Sequence, residues 1–213
     1  MNHLLESAAS ASSLLFYSTM LMQAYHVHRL KHTESGQVNS TLCVYFNAAL
    51  WCKYGLLAND NAVFMVNAFG MLTSMILLAV LYMHCADKGG MEKVLWKALS
   101  VFAVFGYAVY QGWLQVNAVA TTVSVLVFSL PLLVLYKRLR LCKFPELLSD
   151  NDRRNDTNGM LYTAVAGAIS CILWTAYGVS KTDRLIIIPN SIGLLFSGIQ
   201  VYMIILSRMR RRS

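Results

Sequence analysis

Charged residues divide this 213-residue chain into uncharged stretches whose lengths match the thickness of a membrane. A transmembrane helix needs about 20 apolar residues to cross a hydrocarbon core of roughly 30 Å. Five uncharged stretches have 18 to 24 residues and cover 7–28, 35–52, 61–83, 157–180 and 185–207. A sixth, 98–136, has 39 residues, about two spans, and polar residues between 111 and 117 interrupt it. With 57% hydrophobic residues overall, the sequence predicts an all-α membrane protein with seven transmembrane helices.

The basic residues predict which side of the membrane each loop faces. Fifteen of the 18 Lys and Arg residues follow helices one, three, five and seven. Because cytoplasmic loops carry an excess of Lys and Arg, we expect a cytoplasmic C-terminus and an extracellular or lumenal N-terminus. The sequons at Asn39 and Asn155 then face the cytoplasm and should carry no glycan. The same loops explain the net charge of +8 without nucleic acid, and contact with anionic membrane lipid is a second role for them.

A twenty-residue signature occurs twice in the chain. Trp51, Tyr54, Gly55, Asp60, Asn67 and Gly70 recur as Trp174, Tyr177, Gly178, Asp183, Asn190 and Gly193, each displaced by 123 residues without a gap. Unrelated segments of average composition would share about one or two identities over that length. Many transporters are built from internal repeats, and their substrate site lies where the copies meet. The repeat therefore predicts a transporter with a site formed by both copies.

The spacing within the signature places its Trp and Asn at one depth. In each copy the Asp lies at the turn between two helices, nine residues after the Trp and seven before the Asn. At 1.5 Å per residue, both side chains lie about 10 to 14 Å below that turn, near the middle of the membrane. An intramembrane Asn can bond helices together, or two amides and two indoles can bind a polyhydroxylated ligand. Because both residues are duplicated at equal depth, we favour the ligand site.

The positions of the acidic residues bear on energy coupling. All ten Asp and Glu residues lie at helix ends or in loops, so we expect no carboxylate in mid-membrane to carry a coupling proton. The sequence has no phosphate-binding loop of the Gly-x4-Gly-Lys-Ser/Thr type and no Cys-x-x-Cys pair. We therefore expect no metal, no cofactor and no enzymatic activity. Movement of a solute down its gradient is the default interpretation.

Seven helices with the signature Trp-x-x-Tyr-Gly-x4-Asp-x6-Asn-x-x-Gly in both halves resemble the SWEET family of sugar transporters. Ile188-Pro189-Asn190 and Pro131-Leu132 also match motifs of that family. The resemblance implies two parallel three-helix repeats joined by a linker helix, in a 3+1+3 arrangement. The implied boundaries are a first repeat at 1–86, a cytoplasmic loop and linker helix four at 87–114, a second repeat at 115–207 and a basic tail at 208–213.

The resemblance also implies roles for single residues. Asn67 and Asn190 are similar to the sugar-coordinating asparagines, and Trp51 and Trp174 to the aromatic residues beside them. Further matched positions are Asn47 and Ser170 for substrate size, Tyr54 and Asp183 for an outer gate, and Pro131 and Pro189 for hinges. Three features depart from the family. Ser18-Thr19 stands where many members have a proline in helix one, and residues 141–158 form a longer loop. The family's Pro-Phe-like pair is replaced by Ser40-Thr41 before helix two and by Met160-Leu161 or Leu161-Tyr162 before helix six.

The function implied is facilitative, energy-independent uniport of a mono- or disaccharide by alternating access, in a homo-oligomer of the plasma membrane, with an endomembrane as the alternative. Asn47 is bulkier than Ser170, which favours a monosaccharide such as glucose. Two other functions stay open. One is a PQ-loop transporter of another small solute, although the chain contains no Pro-Gln dipeptide. The other is a seven-helix receptor or scaffold without transport, against which the repeat argues.

Overall fold

The computed structural model describes residues 2–31, 33, 37–112, 115–140 and 150–210. The described residues form seven α-helices. They are α1 (Asn2–Leu30), α2 (Gln37–Leu57), α3 (Asn61–His84), α4 (Lys88–Tyr110), α5 (Val116–Arg140), α6 (Asp150–Lys181) and α7 (Arg184–Arg210). The uncharged stretches lie largely within these helices, and most of the helices also extend into charged residues at one end or both. These ends can be charged because only the central 20 or so residues must lie in hydrocarbon.

Helix length and apolarity separate the helices into two groups. Four described segments are long and apolar enough to cross a membrane: Asn61–His84, Lys88–Tyr110, Asn158–Lys181 and Arg184–Leu206. Helix α5 contains a shorter apolar segment, Ala118–Ser129. Helices α1 and α2 carry more polar side chains, among them Ser13 on α1 and Asn47 on α2. Polar side chains in spanning helices face protein or a water-filled cavity more often than lipid, so these two positions are of functional interest.

Contacts divide the chain into two compact units. The first-repeat unit is Met20–Val123, and the second-repeat unit is Met1–Thr19 together with Ser124–Ser213. The division falls within α1, immediately after Ser18-Thr19. The hydroxyls of Ser18 and Thr19 donate hydrogen bonds to the carbonyls of Leu14 (2.7 Å) and Phe16 (2.6 Å) in α1 itself. Such bonds back to the helix often bend it.

The core of the first-repeat unit joins α1, α3 and α4. Its buried members are Met20, Ala24, Val27, Leu77, Leu81 and Met91. The three residues from α1 are spaced four and three positions apart, so they form one face of that helix. The Ser74 hydroxyl on α3 donates to the Met20 Sδ at 3.3 Å. Lipid is as apolar as these side chains, so close packing and hydrogen bonds hold the unit together.

Helix α4 begins earlier than the sequence predicts. The carboxylate of Asp87 accepts a hydrogen bond from the Gly90 N–H at 2.8 Å and caps the helix. The connection from α3 is therefore only three residues long, Cys85 to Asp87, and the basic residues Lys93 and Lys97 lie on α4. An N-cap of this kind satisfies a backbone donor that would otherwise have no partner, which explains why the predicted loop is helical. Residues 150–158, which the sequence places in a loop, are likewise helical, as the first turns of α6.

The two turns that carry the repeated Asp have the same construction. After α2 the Asp60 N–H donates to the Gly55 carbonyl at 2.8 Å, and after α6 the Asp183 N–H donates to the Gly178 carbonyl at 2.8 Å. The residue before each Asp is left-handed, with φ of 51° at Asn59 and 54° at Thr182. This is the Schellman arrangement of a helix C-terminus. The duplicated signature thus encodes a duplicated turn between antiparallel helices.

Candidate functional site

Trp51 and Asn67 lie on α2 and α3, two antiparallel helices of the first-repeat unit. Trp51 is 8% exposed and packs edge-to-face against Tyr54, with ring centroids 5.2 Å apart and an angle of 78° between the rings. Asn67 is also 8% exposed, and its amide N–H donates to the Val63 carbonyl at 2.8 Å. The Trp–Tyr pair follows from an i, i+3 spacing, which places both rings on one face of the helix.

Trp174 and Asn190 have the same local geometry in the second-repeat unit. Trp174 is 7% exposed and meets Tyr177 with centroids 5.2 Å apart at 82°. The amide of Asn190 donates to the Ile186 carbonyl at 2.7 Å, again four residues earlier in its own helix. In both copies this amide bond therefore stays within one helix, and it uses one of the four hydrogen bonds that the side chain can make.

The indole of Trp174 is held by a side chain that no sequence motif identifies. Its Nε1–H donates to the Ser13 hydroxyl oxygen at 2.6 Å, and that oxygen lies 3.2 Å from the Ser170 hydroxyl. All three side chains are buried. Ser13 belongs to the Ser- and Ala-rich run at residues 7–13. The one sequence feature that points to this run is the presence of hydroxyl side chains within a predicted membrane span. Asn47, the position in the first repeat that corresponds to Ser170, is half-buried on α2.

The predicted gate residues have roles in local structure as well. Tyr54 is half-buried beside Trp51, and Asp183 is half-buried at the start of α7, where its carboxylate accepts from the Leu185 N–H at 2.9 Å. Asp60 caps α3 in the same manner, through the Val63 N–H at 3.1 Å. Each repeated Asp is therefore an N-cap. Pairing of Tyr54 with Asp183 as an outer gate stays a prediction.

The two predicted hinge prolines lie inside helices. Pro189 is buried within α7, one residue before Asn190. Pro131 falls within the bounds of α5, and its side chain lies outside the described residues. A proline in a helix removes one backbone hydrogen bond and favours a kink, which makes Pro189 suited to a hinge next to the candidate site.

Repeated glycines bring the helices of each unit close together. A Cβ at Gly55 would lie 2.7 Å from the backbone nitrogen of Phe64 on α3, and one at Gly178 would lie 2.9 Å from Cγ1 of Ile187 on α7. A Cβ at Gly193 would lie 2.7 Å from Cε2 of Phe128 and 2.8 Å from Sγ of Cys171. Only glycine fits these positions without displacing a neighbour.

Among the described residues, no group of three or more His, Cys, Asp or Glu side chains could hold a metal ion. Cys43, Cys52, Cys85 and Cys171 are free thiols, and Cys142 lies outside the described residues.

The chain is similar to known sugar transporters along most of its length. A family model described as "Sugar efflux transporter for intercellular exchange" matches residues 3–89 and 152–212, which include both copies of the signature. The bidirectional sugar transporter N3 of Medicago truncatula is 27% identical over 202 residues, covering 89% of this chain and 70% of the relative. The sugar transporter SWEET1 of Rattus norvegicus is 26% identical over 194 residues, covering 90% and 84%. The bidirectional sugar transporter SWEET12 of rice is 24% identical, and the chain spans 62% of its length.

The fold has a match among solved structures. The 3.7 Å structure of a eukaryotic SWEET transporter aligns with a TM-score of 0.72 and 17% identity, over 95% of this chain and 94% of that one. A match at 17% identity shows the fold. It confirms the prediction of an all-α, seven-helix membrane protein in a 3+1+3 arrangement. The family model covers more than half of the chain. The chain therefore belongs to the SWEET family, whose members are multi-pass membrane transporters and not enzymes.

Proposed function

We propose that this protein carries a monosaccharide such as glucose across a membrane by facilitated uniport. One observation supports this above all others: each compact unit presents a buried Trp and an Asn with the same local geometry. In the proposed mechanism the Trp and Asn side chains of both repeats bind one sugar, and its access alternates between the two sides of the membrane. Pro131 and Pro189 act as hinges, and Tyr54 and Asp183 close the outer side.

The side chains suit the chemistry of a sugar. A pyranose has apolar C–H faces, against which the indoles of Trp51 and Trp174 can stack, and hydroxyls around its edge. The amides of Asn67 and Asn190 offer both donors and acceptors to those hydroxyls. Because each amide is already oriented by a bond to its own helix at 2.7–2.8 Å, it needs little reordering when it binds.

The positions of acidic side chains support transport without proton coupling. Among residues whose side chains the structure describes, Asp60, Asp87 and Asp183 are N-caps. Glu92 lies in the first turns of α4 and accepts from the Tyr82 hydroxyl at 2.6 Å, and Glu6 lies near the start of α1. A membrane proton relay needs an ionisable group within the bilayer, so this part of the chain offers no carboxylate for it.

Substrate size, location and assembly complete the proposal. Asn47 on α2 and Ser170 on α6 line the site, and the larger Asn47 favours a monosaccharide. The distribution of Lys and Arg favours a cytoplasmic C-terminus and an N-terminus outside. We place the protein in the plasma membrane as a homo-oligomer surrounded by membrane lipid.

Uptake of radiolabelled glucose in cells without their own hexose transporters tests the assignment. Expression should produce saturable uptake, and Asn67→Ala or Asn190→Ala should abolish it at equal surface expression. Asn61→Ala and Ser191→Ala are matched controls, because they alter exposed polar residues of the same two helices and should leave uptake unchanged. Normal uptake by the Asn67 and Asn190 variants would falsify the site.

Flux into proteoliposomes tests substrate and coupling together. We expect downhill glucose flux that does not change when a pH gradient is imposed, and weaker competition by sucrose than by glucose. Proton-driven accumulation, or currents with cystine or lysine, would instead support a PQ-loop type of transporter.

A further inference from the structure

Ser13 differs from its hydroxyl-bearing neighbours on α1. Ser12 donates to the Ala9 carbonyl at 2.6 Å, and Ser18 and Thr19 likewise bond to carbonyls of α1 itself. Ser13 instead accepts from the indole N–H of Trp174 on α6 at 2.6 Å. Intrahelical bonding is the usual arrangement for a hydroxyl in a spanning helix. The bond to another helix therefore marks Ser13 as the exception.

A serine hydroxyl has the capacity for both of the contacts that Ser13 makes. It offers one donor and two acceptor lone pairs, so it can accept from the indole and still share a proton with Ser170 at 3.2 Å. The indole N–H can only donate, and a buried donor without an acceptor is costly. With Ser13 in place the Trp174 ring is fixed at two points, by this hydrogen bond and by its edge-to-face contact with Tyr177.

We propose that Ser13 is a positioning residue that sets the orientation of Trp174 for substrate binding. The inference rests on the proposed function, since it assumes that Trp174 contacts the sugar. Helix α1 thereby takes part in specificity through residues 2–19, which belong to the same compact unit as α6 and α7. Ser13 acts through Trp174, so its contribution depends on the presence of the indole N–H.

The experiment is a double-mutant cycle on the kinetics of glucose uptake. Ser13→Ala should raise KM about five- to tenfold, the factor that corresponds to losing one net hydrogen bond, with little change in maximal rate. Ser13→Thr keeps the hydroxyl and should restore most of the affinity. Ser12→Ala is the matched control, because Ser12 and Ser13 are 5% and 6% exposed and only the bonding partner differs. Trp174→Phe removes the N–H but keeps an aromatic ring, and in that background Ser13→Ala should have no further effect.

The outcomes distinguish a failure of the proposed sugar site from a failure of the role of Ser13. If Trp174→Ala leaves glucose uptake intact, the proposed sugar site is wrong. If Trp174→Ala abolishes uptake but Ser13→Ala leaves KM unchanged, the site stands and the role of Ser13 is refuted. An equal effect of Ser13→Ala in the wild-type and Trp174→Phe backgrounds would also refute it. Should Ser13→Ala not reach the membrane, Ser13→Cys has a similar volume and a weaker acceptor, so its KM should lie between those of wild type and Trp174→Phe.

Discussion

Substitution of Gly55 by alanine tests whether the close approach of α2 and α3 determines both stability and the geometry of the site. A Cβ there would lie 2.7 Å from the Phe64 nitrogen, 3.0 Å from its Cα and 3.1 Å from the Asp60 carbonyl oxygen. All three are backbone atoms of the turn and of the start of α3, so no side chain can rotate away. Ordinary contact begins at 3.4 Å, and the two helices must therefore separate by about 0.7 Å.

The expected magnitude follows from two opposing terms. Overpacking in a core costs about 1–3 kcal/mol, and a contact with rigid backbone falls in the upper half of that range. Alanine in place of glycine stabilises a helix by up to about 1 kcal/mol, which offsets part of that cost. We therefore expect Gly55→Ala to lower the free energy of unfolding by about 1–2 kcal/mol. Gly106→Ala on α4 is the control, since a Cβ there has nothing within 4 Å and should stabilise by up to about 1 kcal/mol.

The assay is thermal unfolding of the purified protein in detergent, followed by glucose uptake in cells. At about 2–4 °C per kcal/mol for a chain of this size, the two variants should differ in melting temperature by at least about 2 °C. Glucose uptake should fall only in Gly55→Ala, because the separation displaces Trp51 on α2 from Asn67 on α3. If Gly55→Ala raises the melting temperature as much as Gly106→Ala does, the steric argument is wrong.

Three further predictions concern the repeated turn and the orientation of the chain. Thr182→Asn should raise the free energy of unfolding by about 0.5–1 kcal/mol, because Thr182 has a φ of 54° that asparagine tolerates better. Asn59→Thr should lower the free energy of unfolding for the same reason. Melting temperatures check both variants, and a lower melting temperature for Thr182→Asn than for wild type would contradict the reasoning. Asp183→Ala should lower the free energy of unfolding by about 1 kcal/mol, because the N-cap is lost. Asp183→Ser keeps a capping side chain and should keep the stability, yet it should lower glucose uptake if Asp183 is also a gate residue. Normal glucose uptake by Asp183→Ser would leave Asp183 as a helix cap alone. The sequons at Asn39 and Asn155 should stay unmodified in eukaryotic cells, and a mobility shift after glycosidase treatment would reverse the proposed orientation.

Sequence and structure agree best where the physical constraint is local. Uncharged runs of about 20 residues predict the helices, because a membrane of defined thickness selects for them. The boundaries are less accurate, since helices continue into water wherever a cap such as Asp87 satisfies the first turn. The repeated Asp residues are predicted at the turns, but their capping bonds depend on backbone geometry that the sequence does not display.

The sequence by itself determines the number of spans, the duplication and the identity of the paired Trp and Asn residues. Each of these depends on spacing along the chain, and helical rise converts spacing into depth. Only the tertiary structure decides which side chain of one helix meets which side chain of another. Ser13 and Trp174 are 161 residues apart, and their 2.6 Å bond depends on how α1 and α6 are rotated and packed. Rotation about a helix axis follows from packing against neighbours, which explains why the sequence identifies Trp174 and does not identify Ser13.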